Sequence, residues 1–160
     1  MKLLRLFIGC VAVAFSLATA DAQQGKPNFI VVFCDDLGYA DIGPFGSKTH
    51  ATPVLDKMAK EGMRLTDFYS TCSVCTPSRS SLMTGCYPRR VNMHVDEKNL
   101  CVLFPAASKG LNPSEITIAE ILKEQGYATM CIGKWHLGGH AKFHPIRHGF
   151  DEFFGFTHEG

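Results

Sequence analysis

Cys75-Thr76-Pro77-Ser78-Arg79-Ser80-Ser81-Leu82-Met83-Thr84-Gly85 is the stretch on which the reading of this chain turns. Pro77 has its φ fixed near the helical value and no N–H to lose, so it suits the first turn of a helix. Leu82, Met83 and Thr84 continue a helix-compatible run, and Gly85 is a stop signal. The spacing sets Cys75 at or just before a helix N-terminus, where free N–H groups and the dipole favour an anion. Arg79, one turn further on, adds a fixed positive charge over the same face. Sulfur, helix N-terminus and guanidinium together outline a pocket for a tetrahedral anion. The same residues also read as a buried cysteine beside a surface arginine. A tyrosine-phosphatase loop is excluded, because it needs a longer separation than the three residues between Cys75 and Arg79.

Towards the N-terminus, Asn28-Phe29-Ile30-Val31-Val32-Phe33 is a continuous apolar, β-branched run, as expected of a strand buried on both faces. It leads into Cys34-Asp35-Asp36-Leu37-Gly38, so two carboxylates emerge at the strand's C-terminal end, the edge where open α/β sheets bind ligands. Adjacent carboxylates repel unless a cation or hydrogen bonds offset them, and hard cations such as Ca²⁺ or Mg²⁺ take such oxygens. A turn with two solvated Asp residues is the simpler alternative. Residues 38–50 form a glycine-bearing irregular loop. Thr52 and Pro53 then open a helix with an apolar stripe of Val54, Leu55, Met58 and Ala59, closed by Gly62. Residues 63–69 read as a strand leading into the Cys75 stretch.

Towards the C-terminus, residues 87–109 show no periodicity and read as a long surface excursion that shapes an entrance. Asn112-Pro113-Ser114-Glu115 opens a helix with Ile118, Ala119, Ile121 and Leu122 as its buried stripe and Gly126 as its stop. Residues 128–132 form the next strand. Strand–helix–strand alternation at this spacing suggests βαβ units, an α/β fold with a largely parallel sheet flanked by helices. That strand runs into Gly133-Lys134-Trp135-His136-Leu137-Gly138. If it stays extended, Lys134 and His136 share one face and project to the same edge as Asp35 and Asp36. Lys134 offers a cation for an anionic group, and His136 can move a proton near neutral pH. His140, His144 and His148 are loop residues, since Pro145 breaks the helix that would gather them. Residues 150–155 give a short strand entry or turn.

Hydrophobic residues make up 46% and charged residues 19%, a globular composition. Lys and Arg number 16 against 15 Asp and Glu, so there is no basic excess to follow a nucleic-acid backbone. Lys2 and Arg5 precede a mostly apolar run from Leu6 to Ala18, and small residues at 18–22 offer a cleavage site. Residues 1–22 therefore read as a secretory signal, too short in its apolar part for a membrane span of roughly 20 residues. The expected location is secreted or periplasmic. Of the seven cysteines, Cys10 falls in the signal. If Cys75 is chemically converted, Cys34, Cys72, Cys86, Cys101 and Cys131 remain, an odd set that does not suggest a complete disulfide framework. Cys34 and Cys131 sit in apolar runs and are expected to be buried thiols. Cys72 and Cys75 have the spacing of a redox pair or half a zinc site, but no second such pair follows.

The Cys75 stretch resembles the sulfatase signature C-x-P-S-R-x-x-x-x-T-G, matching at Cys75, Pro77, Ser78, Arg79, Thr84 and Gly85. It departs at the next position, where the family often has Arg and this chain has Cys86. The Asp35–Asp36 pair, the Lys134–His136 segment and Gly149 to Gly155 follow the family's order, so the resemblance covers Pro27 to Gly160. It implies an alkaline-phosphatase-like fold, of which residues 23–160 would be the N-terminal part of the catalytic domain. It implies that a maturation enzyme oxidises Cys75 to formylglycine, whose hydrate attacks the sulfur of a sulfate ester on a small molecule or carbohydrate. Asp35, Asp36 and residue 75 would bind a divalent cation, usually Ca²⁺, with Mg²⁺ as the other choice. Arg79 would stabilise the hydrate, Lys134 would contact the sulfate or residue 75, and His136 would hydrogen-bond the hydrate and help expel sulfate. The family takes further metal ligands, a second His and a second Lys from later chain, so this stretch alone is expected to bind Ca²⁺ poorly and to be inactive. A phosphonate or phosphate ester hydrolase of the same superfamily, and a non-catalytic secreted binding protein with the sulfatase fold, are the competing readings.

Overall fold

The computed structural model describes residues 25–158, and the chain divides into two compact units, residues 1–34 and 35–160. The signal segment expected over residues 1–22 lies outside the described residues. In the first unit, residues 25–34 carry no helix or strand, so the strand expected at 28–33 is not formed. A strand exists only through pairing, and the described residues of that unit include no other strand to supply the partner. Cys34, expected to be buried, is exposed.

The second unit begins with two single 3₁₀ turns, Tyr39–Asp41 and Gly43–Phe45, followed by helix α1, Pro53–Glu61. Thr52 occupies the N-cap position and Gly62 the C-cap, as the sequence suggests. The Thr52 hydroxyl, however, does not cap the helix; it accepts from the Gly43 N–H at 2.8 Å and joins α1 to the preceding turn. Val54 and Met58 on the expected stripe remain exposed. The strand expected at 63–69 is irregular, because no neighbouring strand runs beside it among the described residues.

Helix α2, Cys75–Thr84, follows, and Gly85 ends it with φ 67°, a left-handed conformation that costs a glycine little. Helix α3 spans Ile118–Glu124 and starts later than the Asn112 signal suggested. Thr117 is the actual N-cap: its hydroxyl accepts from Glu120 N–H at 3.2 Å, while the Glu120 carboxylate accepts from Thr117 N–H at 2.7 Å. This reciprocal pair closes two of the helix's free donors, which Asn112 could not do from outside the helical turn. Of the expected stripe, only Ala119 is buried.

Strands β1, Met130–Lys134, and β2, Glu152–Phe156, pair in parallel, with Met130 opposite Glu152 and Lys134 opposite Phe156. The parallel, helix-flanked arrangement matches the expected fold class. The crossover between the strands runs through the stretch expected to be loop and carries only short 3₁₀ turns at Ala141–Phe143 and Pro145–His148. Gly133 and Gly155 face each other in the ladder, and a Cβ on Gly155 would run into the Gly133 carbonyl. Glycine at 155 is what allows the strands to approach there, whereas a Cβ on Gly133 would meet nothing.

The core holds Val91, Met93, Leu103, Ala107, Leu111, Ala119, Trp135, Leu137 and Phe150. Four of these come from residues 87–109, so that segment is not the surface excursion expected. It lacks periodicity because single apolar residues drop inward from an irregular path. The path is held instead by polar groups: Asp96 accepts from the N–H groups of Lys98 and Leu100, and Lys109 donates to Asn92 and the Val95 carbonyl. The Trp135 indole N–H donates to the Phe143 carbonyl at 2.8 Å, and its ring meets Phe150 edge-on with centroids 6.1 Å apart. Side chains of this size each contribute about 1.5–3 kcal/mol when removed from water. His148 is fully buried beside Trp135, where burial lowers its pKa against the opposing charge of Glu120.

Asp151 fastens the entry of β2. Its carboxylate accepts from the Thr129 N–H at 2.9 Å and hydroxyl at 3.0 Å, and pairs with Lys123 of α3 at 2.6 Å. The hydrogen bond from Lys123 and then those from Thr129 hold its carboxyl down at about 2. A depressed folded-state value means stabilisation that is present above the ordinary carboxylate range and lost as pH falls through about 2. Thermal midpoints of the parent and Asp151→Asn should therefore differ most above pH ~4 and converge towards pH ~2. A gap independent of pH would contradict this role.

Candidate active site

Cys75 is the first residue of α2, with Val74 in extended conformation at the N-cap and no side chain closing the helix end. The first-turn N–H groups at the N-terminus are therefore left to other partners. Ser78 and Ser80 turn their hydroxyls back onto the carbonyls of Cys75 and Pro77, at 3.0 and 2.7 Å, which keeps both side chains inside the helix's own frame. Cys75 itself is half-buried and not in a disulfide, as is Cys72.

Arg79 reaches from α2 to the end of β1. Its Nη1 donates to the Lys134 carbonyl at 2.6 Å, and Nη2 lies 3.7 Å from Asp35 Oδ1. Lys134 Nζ donates to the other oxygen, Asp35 Oδ2, at 2.8 Å. The Asp35 carboxylate is thus held between two cations that are themselves nearly buried, with side-chain exposures of 11% for Arg79 and 15% for Lys134. The Lys134 hydrogen bond is the main cause that keeps the Asp35 carboxyl below its usual range, with the charges of Lys134, Arg79 and His136 adding to it and partial burial opposing. Asp36 follows with φ 56°, a left-handed conformation that Asp tolerates and that turns the chain sharply after Asp35. Cys131, on β1, was expected to be buried and is only half-buried; that burial raises its thiol pKa against the charge of Arg79.

His136 is placed differently from the expectation. Strand β1 ends at Lys134, and His136 has φ 56°, so the two side chains do not alternate along one extended face. His136 is fully buried, and its Nε2 lies 2.6 Å from the Leu103 carbonyl. The main chain there is gripped by Thr76, whose hydroxyl donates to the His136 carbonyl and accepts from the Leu103 N–H, each at 3.1 Å. Thr76 and Leu103 escaped sequence reasoning. Thr76 occupies an unspecified position of the signature, and Leu103 sits in the segment without periodicity; its apolar neighbours Cys101, Val102 and Phe104 were the available signal.

The structure therefore brings Asp35, Arg79 and Lys134 into direct contact around the N-terminal turn of α2, with His136 on the continuation of β1. His140, His144 and His148 do not join them: no group of three or more His, Cys, Asp or Glu side chains gathers as a metal cluster among the described residues. Lys134→Met should raise the Asp35 pKa towards the ordinary value near ~3.9, read by carboxyl NMR titration. An unchanged titration would show that Lys134 does not set the charge of Asp35.

Comparison with known proteins follows the same elements. The sulfatase family model matches residues 27–159. Mouse (Mus musculus) steryl-sulfatase is 46% identical over 151 residues, covering 91% of this chain and 24% of that protein. The crystal structure of Ps i-CgsB superposes with a TM-score of 0.78 at 39% identity, covering 85% of this chain and 29% of that one. The same protein in complex with k-i-k-neocarrahexaose gives 0.72 at 38% identity, with 79% and 27% covered. This chain spans about a quarter of the length of the curated relatives it matches. On this match, and on the site elements that lie within it, the chain belongs to the sulfatase family.

Proposed function

We propose that this chain carries part of the active site of a sulfuric ester hydrolase. The observation that supports it is the convergence of Arg79 and Lys134 on Asp35 beside a helix that opens with Cys75. The sulfatase family generally uses a formylglycine and a divalent cation. In this reading Cys75 is the residue converted, by a maturation enzyme that recognises the surrounding motif. A formylglycine supplies, as its hydrate, one hydroxyl to attack sulfur and a second whose deprotonation lets the aldehyde re-form as sulfate leaves.

The chain's own residues suit the charge this reaction develops. Arg79 and Lys134 are positioned by their bonds to the β1 end and to Asp35, so their positive charge needs little rearrangement to meet an anionic transition state. Little water reaches these two side chains, so their charges act through a lower effective dielectric than at an open surface. His136 is the residue suited to moving a proton at residue 75. Asp35 and Asp36 offer the hard carboxylate oxygens that Ca²⁺ prefers, and Asp35 is held ionised. Asp35, Asp36 and Cys75 do not gather as a three-ligand cluster among the described residues; in this reading they would hold the cation together with further ligands, and it would neutralise sulfate charge when bound. They supply only part of the roughly 6–8 oxygens that Ca²⁺ takes.

Sulfate esters of carbohydrates or of small molecules fit a relative named steryl-sulfatase and a neighbour solved in complex with k-i-k-neocarrahexaose. A secreted or periplasmic location is part of the proposal: the signal-like N-terminus supports it, and no helix among the described residues is long and apolar enough to cross a membrane. The test is turnover by the whole protein matured alongside a formylglycine-generating enzyme. An aryl sulfate should be hydrolysed well ahead of an aryl phosphate. Cys75→Ala should lower the rate by on the order of 10⁴-fold or more. Faster aryl phosphate turnover, or a Cys75→Ala variant with parental activity, would refute the reading.

A further inference from the structure

Thr76 is 2% exposed, and its hydroxyl uses both its donor and an acceptor site within the protein. The donor goes to the His136 carbonyl and the acceptor site to the Leu103 N–H, contacts separated by 60 and 27 residues of sequence. One side chain on the first turn of α2 therefore fixes two backbone segments that share no secondary structure with it or with each other. Those two segments meet again at the histidine ring. His136 Nε2 lies 2.6 Å from the Leu103 carbonyl, inside a site where His136 is fully buried and Leu103 is 3% exposed.

A carbonyl oxygen only accepts, so a neutral imidazole in this contact must carry its hydrogen on Nε2, and Nδ1 is then the ring's acceptor. The contact survives only while the Leu103 carbonyl stays in the ring plane's reach. The amide on the other side of the same residue is the one that Thr76 holds. We propose that Thr76 is a positioning residue: by clamping Leu103 and His136 to α2, it fixes His136 in the Nε2–H tautomer. The inference rests on the proposed sulfatase chemistry only for what the ring does afterwards. In that chemistry an imidazole with a basic Nδ1 can accept a proton, whereas the opposite tautomer presents a donor at the same atom.

The left-handed φ of 56° at His136 is consistent with this role. A non-glycine residue adopts it only when its surroundings hold it, and the Thr76 hydrogen bond to the His136 carbonyl is one such restraint. A valine at 76 keeps the β-branched shape but removes the hydroxyl, while serine keeps the hydroxyl.

The experiment is long-range ¹H–¹⁵N NMR of the His136 ring in the full 160-residue chain, at pH ~8.5, where an imidazole of ordinary pKa near ~6.5 is neutral. Tautomers are read directly from the two ring-nitrogen shifts, whether or not any sulfate ester is turned over. Failure of the proposed function and failure of this inference are thus separate results. Trp135 is the chain's single tryptophan and is buried in the core, so its emission reports whether the fold survives each substitution. The parent and Thr76→Ser should show the Nε2–H form alone. Thr76→Val should show a mixture of both tautomers with Trp135 emission unchanged. Any of four results would overturn the proposal: an Nδ1–H or mixed ring in the parent, failure of Thr76→Ser to keep the single form, a Thr76→Val ring unchanged from the parent, or loss of buried Trp135 emission in Thr76→Val.

Discussion

The docking of the α2 N-terminus onto the end of β1 is the constraint on which the rest of the site depends. Two hydrogen bonds make it, from Arg79 to the Lys134 carbonyl and from Thr76 to the His136 carbonyl. Both carbonyls lie where the chain leaves the regular strand: β1 ends at Lys134, Gly133 has φ 95°, and His136 is left-handed. The strand end bends so that main-chain acceptors face the helix, and the helix supplies side-chain donors at the matching height, Thr76 from its first turn and Arg79 from the next. A guanidinium and a hydroxyl are suited to this because each also has a second polar partner. Arg79 faces Asp35, and Thr76 faces Leu103. The mechanical link and the electrostatic arrangement are thus one set of side chains.

Several parts of this were legible in the sequence, for local reasons. Helix α2 announced its limits through Pro77 and Gly85, whose backbone preferences hold in any context, and Thr52 to Gly62 did the same for α1. That Asp35 and Lys134 would lie at one edge followed from both standing just beyond apolar runs, even though the first of those runs is not a strand in the structure; their direct hydrogen bond is shown by the structure alone. What was illegible depends on partners distant in sequence. Residues 28–33 and 63–69 have strand composition, yet composition cannot supply a neighbouring strand. The start of α3 was misplaced because Asn112 and Thr117 both offer cap chemistry, and only the reciprocal bond with Glu120 decides between them. The inward residues of 87–109 follow no period at all. Their fixed points are buried Asp96 and the hydroxyl of Thr76, neither of which signals its partner in advance.

The charge balance of the site also explains why these groups are kept together. Arg79 and Lys134 share the one Asp35 carboxylate, which leaves part of their positive charge uncompensated by it. A cation bound at Asp35 and Asp36 would add to that charge, and a sulfate group would meet it. Such a cluster sits at the C-terminal end of a parallel strand, the edge of an α/β sheet where ligands are commonly bound. Family membership and local electrostatics thus point to one reading from separate directions.

Everything proposed for the chemistry passes through residue 75, so its chemical state is the most direct measurement. Peptide mass spectrometry of the segment containing Cys75, from protein made in a host with formylglycine-generating machinery, reads it without any assay of activity. Conversion of the thiol to an aldehyde lowers the peptide mass by about 18 Da, a change that no step of ordinary cysteine oxidation produces. The sulfatase reading predicts that loss at Cys75. An unmodified Cys75 thiol from such a host would contradict it.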